Sequence, residues 1–343
     1  MYRIITLTCL LFTSSLLTAR AEGDPTENSS KGKTDPDYIT DMSSYLNLRL
    51  YGINKFNKFQ LSDAINGGHV DYAPNENFNV GFAVNYKWLG LGIAVNVPFI
   101  NHDNDLYGET RRLDAQTSIF ARKFVIDFYF QLYRGFYIEN AADLFPSWKS
   151  GDPYPQRPDI GVASLGASYY YIFNSRRFSA RAAFAQTELQ KRSAGSWLAG
   201  GYVITLGAAG DSVLIPEKVQ QLFSGEMLFY RLSQMTVGLT GGYSHTFSVK
   251  QKWNINLTIV PGVAWQLVRA DYPSPESSLR KSQLAMRLQS RFNLGFNGQR
   301  SFGGFTVLTD NYGMQTGTRS GQSGNFTIGS VRVYYGRRFR ISR

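Results

Sequence analysis

Cysteine is almost missing from this chain of 343 residues, and the one present, Cys9, sits in the N-terminal apolar run. Once that run is cleaved, disulfides, metal thiolates and cysteine nucleophiles are excluded together. Long apolar runs are missing too. A helical membrane protein needs stretches of about 20 apolar residues, and only residues 4–17 come near that. Histidine is scarce. His69, His102 and His245 are not spaced as metal ligands, and neither H-E-x-x-H nor G-x-S-x-G occurs. Ser244 and His245 are adjacent, so on a strand they point to opposite faces and cannot act as a serine and its base. Asn101, Asp103 and Asp105 have calcium-loop spacing, but Leu106 stands where that loop requires glycine. The residues therefore give no reason to expect a catalytic residue, a metal or a cofactor, and the chain does not read as an enzyme.

Long runs of like charge are also lacking. Lys and Arg number 36 against 25 Asp and Glu, a formal charge of +11, yet the basic residues are dispersed. That argues against nucleic acid as a partner. Membrane lipid head groups, lipopolysaccharide phosphates and small anionic solutes are the expected counter-charges.

What the chain has in quantity is aromatic residues, glycine and a period of two. Phe and Tyr number 24 and 21, and there are 33 Gly. In residues 77–99, Phe78, Val80, Phe82, Val84, Tyr86 and Trp88 share one face, and Asn79, Gly81, Ala83, Asn85 and Lys87 share the other. After a turn at Leu89-Gly90, Leu91, Ile93, Val95, Val97 and Phe99 resume the apolar face. This is a hairpin with one greasy and one small-polar surface. The pattern recurs along the chain and predicts an all-β, antiparallel transmembrane β-barrel. A soluble lipocalin-like barrel is the competing reading. Trp88, Trp197 and Trp253 near strand ends resemble an interfacial girdle and favour the membrane form.

The ends fit an exported protein. Arg3, the apolar stretch 4–17 and Ala19-Arg20-Ala21 make a signal peptide, residues 1–21, cleaved before Glu22. Residues 22–42 are polar and read as a flexible periplasmic tail, and 43–343 as the barrel of a cell outer-membrane protein. Val331, Val333, Tyr335 and Phe339 form an alternating aromatic closing strand, like the signal read by the barrel-assembly machinery, although Arg340-Ile341-Ser342-Arg343 follow it.

Thirteen strands are clear, including one at 178–187 as the second limb of a hairpin turning at 174–177. Short turns alternate with long segments at 54–76, 101–111, 138–158, 269–280 and 310–324, as short periplasmic turns alternate with long outer loops. That phase slips once. A further crossing at 212–216 restores it and gives about 14 strands. Twelve is the alternative, if the strand at 196–208 folds into the lumen.

By parity, Arg49, Lys87, Arg122, Arg181, Arg287, Arg291, Arg332 and Arg338 face inward, with Asp114 and Asp127 the inward acids. Two functions follow from this. One is a passive pore that favours small anionic solutes, since basic rings select anions. The other is a closed structural or interaction barrel, in which the arginines pair across the lumen and outer loops meet partners or lipopolysaccharide. A lipid-modifying enzyme is a distant third.

Several stretches carry a family resemblance: LYGET (106–110), LYRGFYIE (132–139), YPQRPDI (154–160), YIFNSRRFSARAAFAQTELQKRSAGSWLAGG (171–201) and the closing VRVYYGRRF. Together they resemble domain-of-unknown-function family 4421, secreted proteins of Bacteroidota expected in the outer membrane. The resemblance implies an outer-membrane barrel and carries no activity or site residue.

Overall fold

The computed structural model describes residues 34–341 apart from 77, 87–88, 98–102, 274–277 and 318–320. Thirteen strands form one antiparallel sheet that closes on itself. They are β2 (Tyr45–Asp63), β3 (Gly68–Ala73), β4 (Phe78–Tyr86), β5 (Leu89–Asn96), β6 (Arg111–Phe120), β7 (Phe124–Ile138), β8 (Gln156–Ile172), β10 (Ala194–Ala209), β11 (Arg231–Val249), β12 (Trp253–Asp271), β13 (Ser278–Asn297), β14 (Ser301–Gln315) and β15 (Gln322–Arg340). β1 (Ile39–Asp41) and β9 (Glu188–Gln190) pair separately as a two-stranded sheet. Single-turn helices α1 (Asn104–Tyr107) and α2 (Ala141–Leu144) lie in connections. The ring closes where β15 meets β2 along their whole length, from Gln322 opposite Asp63 to Arg340 opposite Tyr45.

The strand count falls between the two expected values. β3 and β4 are two halves of one descending crossing: β3 pairs with the outer part of β2 and β4 with its inner part. The thirteen strands thus make twelve crossings. Two local expectations are corrected. Residues 178–187 are not a barrel strand but fold as a turn of π-helix at Arg181–Ala185 that leads into β9. Residues 212–216 are not a strand either. Removing the first crossing restores the alternation without the second. Residues 34–42, expected to be part of a flexible tail, contain β1, whose ladder to β9 gives its backbone hydrogen bonds a destination.

Tight connections gather at one end, at 121–123, 250–252 and 298–300. Lys250 and Gln251 both take positive φ, 52° and 57°, the hand that two-residue hairpins use. The other end carries α1, α2 and the segment 210–230, and is the outer one.

Polarity inverts along the barrel. Strands β2, β11, β12 and β15 each have 19 residues, while about 9–11 suffice to cross a bilayer. In the inner half, outward Leu50, Phe82, Ile93, Phe128, Leu257 and Val333 are exposed, and inward Asn47, Ser244, Asn256 and Asn293 are buried. On β2 and β15 the order reverses in the outer half, whereas on β11, β12 and β13 outward Val237, Trp265 and Leu284 remain exposed there. Phe59, Leu61, Ile204, Val268, Phe326 and Ile328 point inward and are buried, and the alternation puts Lys58, Gln60, Ser323, Asn325 and Thr327 outside. On β2 and β15 the inner half thus has the pattern of a membrane barrel and the outer half that of a water-soluble one. This is why 54–63 and 310–315 fall in segments that read as loops: β2 and β14 continue there with the opposite pattern.

The belt makes a direct expectation. Phe128 is 43 % exposed on the apolar face, so Phe128→Arg should destabilise the barrel by about 2–4 kcal/mol near mid-bilayer. Phe128→Leu should fold as the parent does. Urea titration in lipid vesicles measures both, and a neutral Phe128→Arg would invert the assignment of faces.

Candidate functional site

The interior is filled at both ends. At the outer end, residues 213–229 turn into the mouth. Leu214, Ile215, Met227 and Phe229 have no exposed surface, and Val219 and Phe223 almost none. They share one apolar cluster with inward side chains from around the ring, among them Phe59, Tyr72, Ile204, Val268 and Phe326. Polar contacts hold this outer plug. The backbone N and Oγ of Ser224 donate to Asp63 Oδ2 at 2.7 and 2.5 Å. Tyr72 Oη donates to the Leu214 carbonyl, and Arg157 donates to the carbonyls of Leu214 and Val213 at 3.0 and 3.1 Å. Tyr272 Oη, past the end of β12, donates to the Glu226 carbonyl at 2.9 Å. Burial and the Glu226 charge push its pKa up, so it remains a donor.

At the inner end, the π-turn and β9 form a second plug. Gln186 and Glu188 are buried to within 2 %. Glu188 meets Arg122 and Arg181, the latter at 3.2 Å, and accepts from Ser179 Oγ at 2.5 Å. Barrel side chains hold the backbone of this plug. Asn297 Nδ2 donates to the carbonyls of Ala182 and Glu188 at 3.1 and 3.0 Å. Arg338 donates to the Gln186 carbonyl and to Asn297 Oδ1. Gln186 Nε2 donates to Tyr334 Oη at 3.1 Å, and its Oε1 accepts from Arg49 at 3.1 Å.

Between the plugs, the predicted inward residues separate into distinct roles. Arg287 forks onto Asp310, with Nε to Oδ1 at 2.7 Å. Arg291 pairs with Asp127. Asp114 accepts from Lys55 Nζ, Gln131 and Tyr133. Arg122 and Arg181 reach the interior through the inner plug's Glu188 rather than across the lumen, and Arg338 binds backbone carbonyls. Lys87 lies outside the described residues.

Arg49 and Arg332 differ from the rest. Among the described residues no carboxylate lies within ion-pair distance of either. Their guanidinium carbons stand 5.7 and 5.3 Å from the centre of the Tyr51 ring. Both face a cavity of about 300 Å³, which Arg291, Tyr334, Asn85 and Phe184 also line.

Sequence reasoning missed Asp310 and Glu188. Asp310 opens the segment 310–324, which reads as a loop. Glu188 follows a stretch read as a barrel strand. In both cases the alternation pattern is present, but polarity inversion or inward folding hides its meaning.

The chain belongs to the family described as "Domain of unknown function (DUF4421)", whose model matches residues 33–339. No curated protein matches it. Among solved structures, it is similar to the outer membrane protease OmpT of Escherichia coli at 9 % identity and a TM-score of 0.38, covering 88 % of this chain and 98 % of that one. It is similar to the translocator domain of the autotransporter NalP of Neisseria meningitidis at 8 % identity and 0.32, covering 85 % and 88 %. It is also similar to the toluene transporter TodX of Pseudomonas putida at 8 % and 0.25, covering 86 % and 91 %. At such identities and TM-scores none of these carries an argument about this chain. The outer-membrane location rests on the closed barrel and its apolar belt.

Proposed function

We propose that this protein is an exported outer-membrane barrel that works as a closed binding and presentation module, its base in the membrane and its packed outer half above it. The observation that supports this is the burial of Leu214, Ile215, Val219, Phe223, Met227 and Phe229 in one mouth of the barrel and of Gln186–Gln190 in the other. Plugs held this way do not leave a passive axial path. Paired interior charges act in the same direction, since Arg287 and Arg291 each face a carboxylate. Around β2 and β15 the outer half presents a polar surface to lipopolysaccharide or protein partners.

The pore for small anions remains the second reading. Arg49 and Arg332, which lack carboxylate partners, favour it, but it requires both plugs to move. Purified protein in a planar bilayer under a salt gradient distinguishes the two. The expected result is no steady conductance. A steady conductance with an anion-selective reversal potential would establish the pore instead.

A further inference from the structure

The barrel wall is interrupted in its inner half. β4 pairs with β5 and β6 pairs with β7, but among the described residues no ladder joins β5 to β6. Two strand edges with no ladder between them among the described residues therefore flank the wall at the level of the apolar belt, where Leu91, Ile93 and Val95 are 60–68 % exposed. The seam has a local origin. Pro74 follows β3 and has no N–H to continue the ladder. Next to it, Asn75 leaves β2. Its backbone N donates to Thr110 Oγ1 at 2.8 Å, and its amide donates to Asp103, Asn104 and the Gly108 carbonyl, each at 3.0 Å. Thr110 Oγ1 in turn donates to the carbonyl of Gly135, a bulge residue with φ of 91° whose added Cβ would lie 2.2 Å from the Glu109 carbonyl oxygen. Below this junction the two hairpins diverge.

Open sheet edges do not stand against lipid unless they line a wet cavity, because unpaired N–H and C=O groups are costly in hydrocarbon. Here the edges do line one. Gly92 and Ser118, on the inner faces of β5 and β6, border the cavity that holds Arg49 and Arg332. Leu91 and Thr117, which the alternation places on the outer faces, border the same cavity. Residues from both faces of β5 and β6 thus border the same space as the two guanidinium groups.

Those groups lack the partners that a buried charge requires. Nε of Arg49 and Nε of Arg332 are buried with no hydrogen-bond acceptor. Arg49 makes a side-chain hydrogen bond to a neutral amide, Gln186. Both lie against Tyr51, so two like charges sit side by side. An anion between them would receive charge-assisted hydrogen bonds from both.

We infer that this seam admits an anionic amphiphile from the membrane. Its phosphate or carboxylate head sits between Arg49 and Arg332, and its acyl chain leaves between β5 and β6 along Leu91 and Ile93. A cavity of about 300 Å³ takes a head group and the first methylenes, at the small end of ligand pockets, so the chain has to pass through the seam. A free inorganic anion shares the head-group chemistry but makes no use of the seam. The site lies in the side wall rather than on the axis, so an axial conductance would leave this inference standing.

The test is native mass spectrometry of the protein released from micelles containing phosphatidylglycerol, phosphatidylcholine of the same acyl chains, or inorganic phosphate without added lipid. One phosphatidylglycerol is expected to be retained, with affinity about tenfold or more above phosphatidylcholine, as charge-assisted hydrogen bonds predict. Arg49→Gln with Arg332→Gln should remove that preference, and Arg49→Lys with Arg332→Lys should restore most of it. Thr117→Trp leaves both arginines in place and should weaken lipid retention without weakening phosphate binding. If the glutamine variant does not fold, the lysine and Thr117→Trp variants decide. Equal retention of the two lipids, or retention unmoved by Thr117→Trp, overturns the inference. Displacement of phosphatidylglycerol by equimolar phosphate also overturns it, leaving a simple ion site.

Discussion

Replacing Arg287 by Met is expected to destabilise the folded barrel by about 3–5 kcal/mol. Arg287 and Asp310 are 3 % and 4 % exposed, on neighbouring strands β13 and β14. Two parallel hydrogen bonds join them, and the guanidinium also faces the rings of Tyr202 and Tyr312 at 4.4 and 5.4 Å. Removing the cation leaves the Asp310 carboxylate buried without its counter-charge, with the neutral Gln289 Nε2 donating to it at 3.2 Å. That unpaired charge dominates the cost, not the loss of the attraction itself. Replacing both partners, Arg287→Met with Asp310→Leu, should therefore cost much less than the single change. Urea titration in lipid vesicles, followed by tryptophan fluorescence, measures all three proteins. A double variant as unstable as Arg287→Met would show that the pair itself, not the orphaned carboxylate, holds the barrel.

Phe229→Ala should cost about 3–5 kcal/mol, the range for emptying a fully buried aromatic site. Phe229 has no exposed surface and anchors the outer plug in the apolar cluster. The effect should also be local. The plug carries Lys218, whose side chain is exposed on the six-residue 3₁₀ turn Glu217–Leu222. Trypsin needs a flexible stretch around the cleaved bond, so the parent should resist cutting at Lys218 and Phe229→Ala should be cut there. The inner plug is held by Asn297, Arg338 and Gln186, none of which touches Phe229. The cut variant should thus remain non-conducting in a planar bilayer. A variant as protease-resistant as the parent would mean that the outer segment does not depend on this packing.

The membrane half of the barrel was readable from residue order alone. Outward Leu50, Phe82 and Val333 and inward Asn47, Arg49 and Arg332 follow from a period of two, which is a local property of the extended backbone. Short turns, expected at 248–251 and 297–300, follow in the same way and fall at 250–252 and 298–300. Two other features do not follow, because they depend on surroundings rather than on period. The outer halves of β2 and β15 keep the alternation but exchange its faces, so Phe59 and Phe326 point in while Lys58 and Asn325 point out. A one-dimensional pattern shows which residues share a face; only the solvent outside shows which face is inner. The plugs are the second case. Residues 178–187 alternate well enough to read as a strand, but the carbonyls of Ala182, Gln186 and Glu188 find donors in Asn297 and Arg338, more than a hundred positions away. The partners of Arg287 and Arg291, the seam between β5 and β6 and the unpaired Arg49 and Arg332 likewise exist only once distant strands are brought side by side, because charge pairing depends on proximity in space and not on spacing along the chain.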